Sequence, residues 1–122
     1  MRLNKLQKTA VTALEDIKAR DITVLDVRKL TSLYDTLIVA TAESARQVNA
    51  LARHVRDRLK EAGAAIVGME GEDSGEWVLV DAGSVVVHVM QPTARAHYNL
   101  EELWTPPVPK RRTTAKPAAE SA

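Results

Sequence analysis

The 122-residue sequence has no cysteine and no phenylalanine, and only two tryptophans and two tyrosines. Without cysteine, disulfides, thiolate metal sites and thiol nucleophiles are closed together, in agreement with a reducing compartment. With so few aromatic side chains there is no platform on which unpaired bases could stack. No apolar run approaches the roughly 18 residues of a membrane span, and the polar start Met1-Arg2-Leu3-Asn4-Lys5 lacks the apolar stretch of a signal peptide. The expected location is therefore cytoplasmic, away from membranes. No Gly-rich phosphate loop of either common type occurs, so nucleotide binding has no motif and no cofactor is expected.

What is present suffices for one domain: 45% of the residues are hydrophobic, enough for an ordinary core. The net charge of +1 hides an asymmetry. Residues 105–122 hold Lys110, Arg111, Arg112 and Lys116 against Glu120, whereas the body up to Trp104 carries 13 basic and 15 acidic side chains. A slightly acidic body is a poor electrostatic footprint for nucleic acid, so direct nucleic-acid binding is not required and a protein partner fits better. The organisation expected is a folded domain over residues 1–104 followed by a disordered basic tail over 105–122, rich in Lys, Arg, Thr, Ala and Pro.

Leu3, Leu6, Ala10, Ala13, Leu14 and Ile17 recur at helical spacing, which predicts an amphipathic helix ending near Arg20. Ile22 to Val27 and Thr36 to Thr41 read as strands, and the uninterrupted Leu37-Ile-Val-Ala40 as an interior strand buried on both faces. Ser44 and Gln47 form a capping-box pattern for a second helix over Ala45 to Ala62, with Gly63 suited to close it. Val48, Leu51, Ala52, Val55, Leu59 and Ala62 make its apolar stripe, while Arg46, Arg53, Arg56 and Lys60 make an ordinary solvated face. A short strand from Ala65 to Met69, a polar loop to Gly75, a hairpin around Asp81-Ala-Gly83 and a short helix around Tyr98 to Trp104 complete the chain, with Pro92 breaking the last strand. The fold class is α/β (α+β), a mixed five-stranded sheet packed with helices, with strand order open.

The hairpin places nine apolar side chains and His88 on two strands, Trp77 to Val80 and Val85 to Met90. Alternation makes both of its faces apolar in any register. A three-residue turn with Gly83 in the left-handed position would pair Val80 with Ser84. It would put Trp77 and Leu79 with Val85, Val87 and Val89, opposite Val78, Val80, Val86, His88 and Met90; a one-residue slip would exchange the sets. The helices have limited area to cover both faces, so some apolar sheet surface is expected to meet another chain. The pattern leaves open whether Trp77 and Met90 are core residues or part of that surface.

Other constellations are weak. Glu70, Glu72, Asp73 and Glu76 lack calcium-loop spacing. Asp81, Ser84 and His88 have the letters of a hydrolytic triad without a nucleophile elbow, and His54 and His97 have no partner at metal-like spacing. Asp26, Asp35 and Asp81 are carboxylates at or beside strands, where capping or loop hydrogen bonds are the usual role.

Several strings in order carry a more specific signal: Asp26-Val-Arg-Lys-Leu-Thr-Ser-Leu-Tyr-Asp35, Leu37-Ile-Val-Ala-Thr41, Ser44-Ala-Arg-Gln-Val48, Glu70-Gly71, Gly75-Glu-Trp-Val-Leu-Val-Asp-Ala-Gly83, Val87-His-Val-Met-Gln-Pro92, and Arg95 with Tyr98-Asn-Leu-Glu-Glu-Leu-Trp104. Together, over about Leu3 to Trp104, they resemble the ribosomal silencing factor (Iojap-like) family. Met90 stands where many members carry phenylalanine. The resemblance implies a nucleotidyltransferase-like topology, a homodimer, and no enzyme activity. It further implies binding to the large ribosomal subunit through ribosomal protein L-fourteen, occlusion of an intersubunit bridge and repression of translation. By the same resemblance Trp77 and Tyr98 are aromatic anchors, and Leu79, His88, Met90, Arg95 and Glu101 neighbouring partner-binding residues. Two rival readings are a dimeric ribosome-assembly adaptor and a metal-dependent nucleotidyltransferase-like enzyme. The second needs a Gly-Ser turn before paired carboxylates, which Thr31-Ser32 does not provide.

Overall fold

A computed structural model describes residues 4–98. The element order is α1 (Lys5–Asp16), β1 (Arg20–Asp26), β2 (Thr36–Thr41), α2 (Ala45–Glu61), β3 (Gly68–Glu70), β4 (Trp77–Asp81), β5 (Val85–Met90) and α3 (Pro92–Tyr98). The strands form one mixed sheet in the order β1-β2-β5-β4-β3. Only β2 and β5 run parallel, and the other neighbours are antiparallel.

Helix α1 begins with a reciprocal cap that the sequence reading overlooked. Asn4 Oδ1 accepts from the Gln7 backbone N–H at 2.9 Å, and Gln7 Oε1 accepts from the Asn4 N–H at 2.8 Å. The helix stops at Asp16 rather than near Arg20, because Lys18 takes the left-handed conformation at φ 62°. Its N–H donates to Glu15 O while Ala19 N–H donates to Leu14 O, a Schellman closure built on lysine where glycine is the usual signal. Helix α2 uses the expected Gly63, at φ 100°, with Gly63 N–H to Lys60 O and Ala64 N–H to Leu59 O. At its start Ser44 Oγ accepts from Gln47 N–H at 3.1 Å, but the Gln47 side chain does not close the capping box. Its Oε1 accepts from Glu43 N–H, and its Nε2 donates to Ile17 O at 3.1 Å. One glutamine thus serves the start of α2 and the end of α1.

Both long helices cover the same face of the sheet. Ala10, Ala13 and Leu14 of α1 and Val48, Leu51, Ala52, Val55 and Leu59 of α2 enclose a core with Ile38, Ala40, Val78, Val80, Val85, Val87 and Val89. The opposite face has its own cluster of Val27, Leu37, Val39, Val86 and Met90, flanked by Leu25, Tyr34, Trp77, Leu79 and Ala94. Strand β2, buried at every position, is the doubly covered interior strand expected from Leu37-Ile-Val-Ala40. Strand β3 is shorter than expected because its one partner among the described residues, β4, ends at Asp81 opposite Gly68. The residues before Gly68 have no longer ladder to join, and Val67 is exposed.

Candidate functional site

The hairpin register differs from the one expected. Trp77 pairs with Met90, Leu79 with His88 and Val80 with Val87. The turn is shifted toward the C-terminus: Ala82 N–H donates to Val85 O at 2.9 Å, with Gly83 and Ser84 between them. Gly83 supplies the left-handed residue at φ 83°, so the tight turn puts no alanine in a left-handed conformation. Asp81 Oδ1 accepts from Gly83 N–H at 2.9 Å and fixes the corner. Relative to pairing Val80 with Ser84, this is a slip of an odd number of residues, and such a slip exchanges faces. Trp77, Leu79, Val86, His88 and Met90 therefore share the face away from the long helices, and Trp77 and His88, expected on opposite faces, lie together.

Trp77 Nε1 donates to His88 Nδ1 at 2.7 Å, with the ring centroids 5.7 Å apart and the planes tilted by 42°. Indole nitrogen can only donate, so Nδ1 must accept and the imidazole hydrogen sits on Nε2. Burial lowers the His88 pKa to about 4, which keeps the ring neutral at physiological pH and preserves this bond. Glu70, Gly71, Trp77, Leu79 and His88 line a shallow cavity of about 300 Å³. Its lining combines the neutral imidazole, the indole and a leucine side chain, with Glu70 as the acidic member. Such a surface can receive an apolar side chain and offer a hydrogen bond, the ordinary chemistry of a protein contact.

The expected site residues separate into distinct positions. Trp77 and Leu79 are half-buried and His88 nearly buried, all on the cavity. Met90 is fully buried opposite Trp77, where it supports the indole from within the sheet. Arg95 lies on α3 and is engaged inside the chain, donating to Asp21 O, Thr41 Oγ1 and Thr23 Oγ1. Tyr98 ends α3. Glu101, most of the helix expected around Tyr98 to Trp104, and the basic tail of residues 105–122 lie outside the described residues. Pro92 ends the strand as expected but also opens α3, where its missing N–H costs nothing. Gly71 went unnoticed as a site residue because its role is a close backbone approach to Trp77, which no side-chain pattern signals.

The set-aside constellations stay apart from this surface. Asp81 and His88 sit on different rungs of the hairpin, and His88 Nδ1 is occupied by the indole rather than by a carboxylate. The Asp26 carboxylate is gripped by Arg28 at 2.7–3.2 Å, which holds it below the usual aspartate range. Glu72 pairs with Arg53 of α2. Among the described residues, no three His, Asp or Glu side chains group so as to hold a metal ion, and no helix is long and apolar enough to cross a membrane.

His88 also makes a measurable prediction. Its folded pKa lies near 4 and that of an unfolded histidine near 6.5. The unfolded chain therefore takes up the proton first, so the stabilisation is complete above pH about 6.5 and is lost as the pH falls toward 4. Urea unfolding at pH 7 and pH 4.5 should show the parent protein losing about 2–3 kcal/mol more than His88→Gln. Equal losses in the two proteins would refute the buried neutral imidazole.

Comparison with known proteins adds identity to the geometry. The family described as "Ribosomal silencing factor during starvation" matches residues 1–122. The chain is 60% identical over 104 residues to ribosomal silencing factor RsfS of Chromobacterium violaceum, covering 85% of each. It is 35% identical over 98 residues to "Mitochondrial assembly of ribosomal large subunit protein 1" of Mus musculus, covering 78% of this chain and 43% of that one. A crystal structure of a Chromobacterium violaceum protein superposes with a TM-score of 0.82 at 56% identity, covering 94% of this chain and 96% of the other.

Proposed function

Because this chain belongs to the family of ribosomal silencing factors, we propose that it is a non-catalytic cytoplasmic protein that docks on the large ribosomal subunit and prevents subunit joining. The docking partner is ribosomal protein L-fourteen, the blocked feature is an intersubunit bridge, and the consequence is lower translation. The free protein is a homodimer and needs no cofactor. The observation that carries the reading is the Trp77–His88 pair over the cavity shared with Leu79. A half-buried indole, locked by a hydrogen bond and backed by buried Met90, can be covered by a partner with little further loss of side-chain freedom. Tyr98 and Glu101 are further partner-binding residues of this reading.

Purified protein mixed with separated ribosomal subunits and resolved on a sucrose gradient tests this. The protein should sediment with the large subunit and the joined-ribosome peak should shrink as its concentration rises. Undiminished joining at saturating protein would sink the silencing reading. Sedimentation with the large subunit without loss of joining would favour an assembly adaptor, the alternative supported by the mouse relative's name as a mitochondrial assembly protein of the ribosomal large subunit.

A further inference from the structure

Helix α3 spans seven residues, too few to be stable alone. Its position is therefore set by what holds it. At its start Gln91 Nε2 donates to Gly75 O at 3.0 Å, and Ala94 packs against the cluster that contains Trp77 and Met90. Its longest reach is Arg95, whose guanidinium crosses to the far edge of the sheet. There it donates to Asp21 O at 2.5 Å, Thr41 Oγ1 at 2.7 Å and Thr23 Oγ1 at 2.9 Å. The three acceptors come from two strands, and a planar fork of five N–H groups can serve them at once where an ammonium could not keep the same geometry.

The first acceptor exists because of an irregularity. The β1–β2 register shifts between Arg20 and Thr23, and Asp21 adopts φ 50°. A bulge of this kind takes a carbonyl out of the ladder and re-aims it, and here Arg95 collects it. The left-handed aspartate and the α3 arginine are thus two halves of one joint.

The geometry points to Arg95 as a positioning residue, which holds α3 on β1 and β2 and so fixes the course of the helix whose Ala94 packs against the Trp77 and Met90 cluster. This assignment rests on that surface being the ribosome-binding one. It gives Arg95 a role through α3 in place of a direct contact with the partner.

The test uses Thr41→Val, which removes one acceptor without changing shape at a position only 3% exposed, so that a docked partner cannot touch it. Thr41→Ser, which keeps the hydroxyl, and Arg95→Lys accompany it. Amide hydrogen exchange of residues 95–98 in the free protein should accelerate about tenfold in Thr41→Val and Arg95→Lys, with sheet protection unchanged. Affinity for the large subunit, measured well below each melting midpoint, should fall about tenfold in both, and Thr41→Ser should behave as the parent. Weaker binding by Arg95→Lys with Thr41→Val unaffected in both assays would make Arg95 a direct contact and overturn the assignment. So would faster exchange without loss of affinity. The exchange measurement needs no ribosome, and binding by the parent protein is decided by the gradient experiment, so failure of the joint and failure of the ribosome-binding reading are told apart.

Discussion

Replacing Trp77 with alanine should weaken binding to the large ribosomal subunit by about thirtyfold or more, the effect of losing an interface anchor worth about 2 kcal/mol. Three losses coincide at this position. The indole is lost from the cavity lining, buried Met90 loses the residue paired with it across β4 and β5, and His88 Nδ1 loses its donor. The last matters because an imidazole acceptor left unpaired in a nearly buried place carries a desolvation penalty of about 1–3 kcal/mol. Trp77→Phe separates the contributions, since it keeps most of the aromatic area while removing the N–H. It should retain more affinity than the alanine variant and still lose stability. Affinity by sedimentation and stability by urea unfolding, measured on both variants, check this. Full blocking of subunit joining by folded Trp77→Ala would remove the surface from the proposed function.

Gly71→Ala should destabilise the fold by about 3 kcal/mol or more, the largest stability change expected of a single added methyl group here. Gly71 has φ 97°, and a Cβ placed on it would lie 2.1 Å from the Trp77 carbonyl oxygen. The left-handed backbone alone costs a non-glycine residue about 1–2 kcal/mol. The clash adds to that, because the obstacle is backbone within β4 and cannot rotate aside. Gly63→Ala is the matched control: its φ is 100°, but no atom stands within 4 Å of the new methyl. It should lose only the conformational part, about 1–2 kcal/mol. The difference between the two midpoints in urea isolates the close approach of the loop to Trp77. Equal losses would show that the loop yields. Because the displaced atom belongs to Trp77, Gly71→Ala should also impair ribosome binding, whereas Gly63→Ala, at the far end of α2, should not.

Much of this architecture was legible from periodicity. The stripe from Val48 to Leu59 is the buried face of α2, and Thr36 to Thr41 is the interior strand with the expected bounds. Both are long, regular patterns in which many side chains agree, so no single exception changes the result. The boundaries that differ depend on features that periodicity does not carry. Lys18 closes α1 without glycine, and β3 begins only at Gly68, opposite Asp81 where β4 ends.

For the candidate site the division is sharper. The lack of cysteine and of a nucleotide-loop motif, and the apolar character of both hairpin faces, followed from residue type and alternation, while the partner-binding residues came only with the family resemblance. The family was also recognisable there, from motifs in a fixed order. Which side chains stand together was settled by the tertiary structure. A two-residue turn at Gly83 and Ser84 in place of a three-residue turn over residues 81–83 moves every β5 residue to the other face relative to β4, and that shift places Trp77 on His88. Arg95 likewise reads in sequence as a charge available to a partner, and becomes a joint only because a bulge more than 70 residues earlier presents its acceptors. Pattern reports the composition of each face, but contact across strands depends on register. Register is set by the lowest-energy turn and by long-range hydrogen bonds, neither of which is a local property of the chain.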